Sequence, residues 1–130
     1  MWADLLQRLA EALRRDLPDV AVVTHADAQV PTVATVRVLR GAGSGSPVYG
    51  RLSGTQDIAL ELWVTDDDAA QADRRLMRLE TRVLEALERP SREGLIYKID
   101  VLGIDPDGDL FRPSLGSNLR LKVHWRKPRP

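Results

Sequence analysis

The chain has 130 residues, with 43% apolar side chains and no cysteine; this length supports one hydrophobic core, and a disulfide framework, a thiolate metal site and a cysteine nucleophile are all excluded. Nineteen basic and nineteen acidic residues give a formal charge of zero, but residues 1–109 hold thirteen basic and nineteen acidic side chains, whereas residues 110–130 hold six basic and none acidic. The basic end therefore either folds back to neutralise its own domain or meets something acidic, a neighbouring subunit or nucleic acid.

Residues 2–16 are predicted as an amphipathic helix, because Trp2, Leu5, Leu6, Leu9, Ala10 and Leu13 recur at three- and four-residue steps. Its charges are scattered, so the segment reads as neither a signal peptide nor a membrane span, and no apolar run approaches the roughly 18 residues a spanning helix needs. Pro18 ends the helix. "VAVVTHA" (20–26) and "TVATVRVLR" (32–40) read as strands rich in β-branched residues. The stretch 41–55 then holds five of the nine glycines and is expected to be a long flexible hairpin loop.

"QDIALELWVT" (56–65) alternates cleanly, with Ile58, Leu60, Leu62 and Val64 on one face and Asp57, Ala59, Glu61, Trp63 and Thr65 on the other. A long helix follows to Pro90, capped by Thr65 or Asp66, with Ala69, Ala72, Leu76, Leu79, Val83 and Ala86 as its inner stripe. "GLIYKIDVLGI" (94–104) is a strand, and "DPDGD" (105–109) a turn. In the last strand, 118–126, Leu119, Leu121, Val123 and Trp125 face the core, while Arg120, Lys122, His124 and Arg126 face away. Residues 126–130 form a basic tail. The order helix, strands, helix, strands predicts a single α+β domain over residues 1–130: one mainly antiparallel sheet with two helices packed on one face.

Little in the chain points to catalysis or to a cofactor. Gly41 and Gly43 match two positions of a dinucleotide fingerprint, but the third is Ser46, and a strand rather than a helix follows. Asp105, Asp107 and Asp109 alternate like the start of a calcium loop, yet the glycine falls at position four and position twelve is Gly116. His25 and His124 belong to no metal-ligating or triad motif. The row Arg120, Lys122, His124 and Arg126 has two explanations, cross-strand pairing with Asp57, Glu61 or Asp100 and a face turned to a partner. With only six aromatic residues, binding of nucleic acid through stacking is weakly supported.

In the order of these features the chain resembles the bacteriophage tail terminator proteins, also called tail completion or minor tail proteins. The resemblance runs over nearly the whole chain: the N-terminal amphipathic helix, the strand "VPTVATVRVLR", the glycine-rich hairpin, the strand–helix unit "QDIALELWVTDDDAAQADRRLMRLETRVLEAL", then a strand, "DPDG" and the final "LRLKVHW". It implies a structural rather than enzymatic role with no cofactor. The implied protein is a hexameric ring that caps the tail tube, stops its polymerisation and offers a surface to the head or neck. Its partners would be further copies of itself, the tail tube protein and a head-completion or neck protein, with no membrane and no sequence-specific nucleic acid. It would act in the virion tail or neck after synthesis in the bacterial host cytoplasm. The expected contact residues are Tyr49 and Arg51 in the loop, with Trp63, Arg120, Lys122 and Arg126 on the sheet. A head–tail connector and a small nucleotide-binding α+β domain are the alternatives.

Overall fold

A computed structural model describes residues 2–24, 34–44, 53–88, 96–107 and 114–126. The elements are α1 (Trp2–Asp16), β1 (Ala21–Val23), β2 (Thr35–Ser44), β3 (Ser53–Thr65), α2 (Ala69–Glu88), β4 (Ile96–Asp107) and β5 (Ser114–Arg126). The five strands form one sheet in the order β1-β2-β3-β5-β4. Only the β1–β2 pair is parallel; the three others are antiparallel. This is the expected α+β architecture.

The alternation read from β3 and β5 determines the layers. Ile58 stands opposite Leu121 and Leu60 opposite Leu119, and all four are almost fully buried. Val36 and Val38 extend the same apolar face onto β2, opposite Leu62 and Leu60. Both helices cover this face: α2 lies over β3 and β5, and α1 over β1 and β2. Leu5, Leu9, Ala10 and Leu13 of α1 and Leu76, Leu79, Val83 and Leu87 of α2 join one core with the strands. Each leucine or valine among them contributes roughly 1.5–3 kcal/mol through burial.

The α2 cap differs from expectation. Oδ1 of Asp68 accepts from the backbone N–H of Ala70 at 2.9 Å and of Gln71 at 3.3 Å, so Asp68 is the N-cap. Asp66 instead closes the preceding turn by accepting from the N–H of Asp68. Three adjacent aspartates obscure which one the helix uses. The inner stripe is Ala72, Leu76, Leu79, Val83 and Leu87; Ala69 is exposed.

The strands also run further than the sequence suggests. β2 continues through Gly41 and Gly43 to Ser44, across a register shift between Arg40 and Gly43. Asp57, whose carbonyl oxygen a Cβ on Gly41 would approach to 3.1 Å, and the buried Gln56 explain the glycines there. Gln56 donates through Nε2 to the carbonyl of Gly41 at 2.6 Å and to that of Asp57 at 3.0 Å. A Cβ on Gly43 would sit 2.5 Å from its Oε1, so only glycine lets the strand approach this closely. The expected loop 41–55 thus begins and ends as paired strand, with residues 45–52 outside the described region. Likewise β4 runs through Asp105 and Pro106 to Asp107, which pairs with Gly116, and β5 starts at Ser114; the turn expected at 105–109 is strand for its first three residues.

Candidate functional site

The helix-free face of the sheet carries the sheet residues expected to make contacts. Trp63 lies there, between Thr35 of β2 and Gly116 of β5, but it is buried at 8% exposure. The guanidinium of Arg37 covers its ring at 4.1 Å from the centroid, within cation–π range. Arg37 also donates through Nη1 to Oε2 of its cross-strand neighbour Glu61 at 3.1 Å. Trp63 is therefore held under its own sheet's side chains rather than presented.

The basic row of β5 is partly engaged from within. Arg120 stands opposite Gly103, where a Cβ would come within 2.6 Å of its Nη2; the bare backbone lets the side chain cross β4 and donate from Nε to Asp105 at 3.0 Å. Nε2 of His124 lies 2.8 Å from Oδ2 of Asp100, and this hydrogen bond is the main cause that holds the Asp100 carboxyl below its ordinary pKa. Lys98 adds a 3.6 Å contact to the same carboxylate. Lys122 lies in register between Asp57 and Asp100, yet it makes no ion pair among the described residues. Arg126 ends the strand, exposed. Tyr49 and Arg51 lie outside the described residues.

Two further surfaces, not anticipated from the sequence, flank α2. The first faces β1. Arg75, Arg78 and Arg82 line a groove of about 140 Å³ floored by Val20, Val64 and Leu79. Arg82 forms a two-point contact with Asp19, through Nη1 at 3.0 Å and Nη2 at 2.5 Å, and this bond depresses the Asp19 pKa. Arg75 donates to the carbonyl of Thr65 at 2.9 Å. The second surface faces β4. Asp73, Leu76 and Glu80 of α2, with Ile104 and Pro106 of β4 and Leu115 of β5, line a groove of about 390 Å³. Among the described residues the large apolar side chains left exposed lie on the two elements that bound it: Met77 of α2 is 57% exposed, and on β4 Leu102 is 50%, Val101 44% and Ile104 37% exposed. Val101 and Ile104 pair with core residues Leu121 and Leu119, so they point to the helix side, but α2 is centred over β3 and β5 and leaves them uncovered. The signal was present in the helix at three- and four-residue steps: Asp73, Met77 and Glu80 mark one flank, Arg75, Arg78 and Arg82 the other.

Among the described residues no group of acidic or histidine side chains is placed to hold a metal ion, and no helix is long and apolar enough to cross a membrane.

No protein-family model matches the chain, and no curated protein matches it. Solved structures do. A chain from the virion of the native gene transfer agent particle superposes with a TM-score of 0.55, at 14% identity, over 93% of this chain and 91% of that one. The two share a fold. A second match is the sheath/tube terminator, in its extended state, of an extracellular contractile injection system, at a TM-score of 0.41 and 15% identity over 96% of this chain and 60% of that one; at that score it adds nothing to the fold assignment.

Proposed function

We propose that this chain is the tail terminator of a phage or phage-like particle. It forms a ring, hexameric by the family resemblance, that caps the tail tube, stops its polymerisation and presents a surface for the head or neck. The observation that carries this reading is the fold shared with a virion chain across nine-tenths of both chains. The uncovered apolar surface on β4 and α2 supports it, since isolated subunits seldom leave such side chains clustered. The role is structural, without catalysis or cofactor, and its place is the tail of the virion.

Within this reading the hairpin between β2 and β3, with Tyr49 and Arg51, reaches the last ring of the tube. The helix-free face, with Lys122 and Arg126 as its cationic contacts, meets a partner above or below the ring. Trp63 acts through Arg37, holding the guanidinium against the sheet. Deleting the gene in its phage or prophage tests the function. Overlong tails are the expected result; tails of normal length that fail to join heads would identify a head–tail connector instead and refute the terminator. Tyr49→Ala and Arg51→Ala are expected to weaken binding to tube ends, and unchanged binding by both would remove the loop from the contact.

A further inference from the structure

The two flanks of α2 are opposite in chemistry and lie on opposite sides of the subunit. On a helix of 3.6 residues per turn, Asp73, Met77 and Glu80 project to one side of the buried stripe, and Arg75, Arg78 and Arg82 to the other. The first flank opens onto the groove against β4, apolar in its floor and carrying two carboxylates. The second is a cationic ridge against the β1 side. Within that ridge Arg75 and Arg82 are engaged by Thr65, Asp66 and Asp19, whereas Arg78 is exposed and has no ion pair among the described residues. Asp73, exposed on the other flank, has none either.

We infer that the groove between α2 and β4 of one copy receives the arginine ridge of α2 from the next copy, with Arg78 seated between Asp73 and Glu80 and its stem against Met77 and Ile104. The inference rests on the ring reading above and supplies its subunit contact. A guanidinium suits this groove because its planar fork bonds carboxylates while its alkyl stem covers apolar surface. The arrangement also selects a symmetry. A two-fold pair made through either flank would set arginine against arginine or carboxylate against carboxylate. Head-to-tail pairing sets unlike flanks together in every contact, and repetition of one heterologous contact closes a ring when the rotation allows. The overhanging Val101 and Ile104 then become the buried centre of the contact, and the charges its rim.

The test uses the full chain and sedimentation equilibrium, with circular dichroism to confirm the fold of each variant. Arg78→Glu and Asp73→Arg, both at exposed positions, are each expected to weaken self-association by about tenfold or more. The double variant, which reverses the pair in every contact, is expected to recover most of the wild-type association. If wild-type protein assembles and both single variants assemble equally well, or the double variant shows no recovery, this contact is wrong while the ring reading stands. If wild-type protein stays monomeric throughout, alone and with tube ends, the ring reading fails and the contact with it. The absence of native cysteine gives a second, independent readout. Mixing Asp73→Cys and Arg78→Cys proteins under oxidation is expected to give the mixed 73–78 dimer over either symmetric one; predominant 78–78 or 73–73 products would overturn the head-to-tail pairing.

Discussion

The two edges of the sheet are finished differently. β1 has three residues, and Arg14 of α1 donates through Nε at 3.2 Å and Nη2 at 2.9 Å to the carbonyl of its central residue, Val22. The Arg82–Asp19 pair ties the turn before β1 to α2. This edge is short, capped and covered, which are the usual defences of a terminal strand. β4 has twelve residues, two register shifts, and the exposed side chains of Val101, Leu102 and Ile104. Its bulges and Pro106 resist addition of another strand along the backbone, yet its apolar side chains remain open to water. The β1 edge is complete within one subunit. The β4 edge leaves apolar side chains exposed, and under the contact inferred above the next copy covers them.

A matched pair of valines breaks or sharpens this contrast most strongly. Val22 is 6% exposed and Val101 44%. Val22→Asp buries an unpaired charge and is expected to cost on the order of 3–5 kcal/mol in folding stability, measured by chemical denaturation. Val101→Asp is expected to change stability by less than about 1 kcal/mol while weakening self-association by about tenfold or more. Equal destabilisation by both would mean that β4 is as much a part of the core as β1.

A smaller effect is expected from Arg14→Ala. It removes two hydrogen bonds to the Val22 carbonyl and should lower stability by about 1 kcal/mol without altering assembly. A change in assembly with unaltered stability would contradict the assignment of this edge as internal.

The smallest expected effect is one of pH. The carboxyls of Asp19 and Asp100 both titrate below the ordinary value of 3.8 in the folded chain, held down chiefly by hydrogen bonds from Arg82 and His124. Each therefore contributes stability that is complete above the unfolded pKa and is lost as pH falls through the depressed folded value. Thermal melts followed downward from about pH 5 should show falling midpoints, and Asp19→Asn should flatten part of that fall. An unchanged pH profile in Asp19→Asn would remove the Arg82 contact from the stability of the β1 edge.

Much of the fold was legible because it is periodic. The alternation of Ile58, Leu60 and Leu62 on β3 and of Leu119, Leu121 and Val123 on β5 gave the buried face correctly, and the stripe of α2 gave its packing side. What escaped was aperiodic or non-local. The extra residues at the β4 bulges break the alternation that would have placed Val101 and Ile104. Gly41 and Gly43 resemble loop residues until the partner strand supplies the reason for them: a Cβ would crowd Asp57 at Gly41 and the Gln56 amide at Gly43. Trp63 resembles a surface aromatic until Arg37, 26 positions earlier, is laid over its ring. The basic row on β5 is in part paired within the sheet: Arg120 and His124 are engaged by β4 carboxylates, while Lys122 is left without an ion pair among the described residues. The flanks of α2 were visible as spacing, but only the placement of β1 and β4 on either side turns that spacing into two unlike surfaces.

Native mass spectrometry of the purified chain, alone and mixed with tail tube ends, tests the central claim most directly. The account predicts a discrete closed oligomer, six copies by the family resemblance, formed alone or on the tube. A strict monomer under both conditions, neither closing into a ring nor binding tube ends, would contradict it.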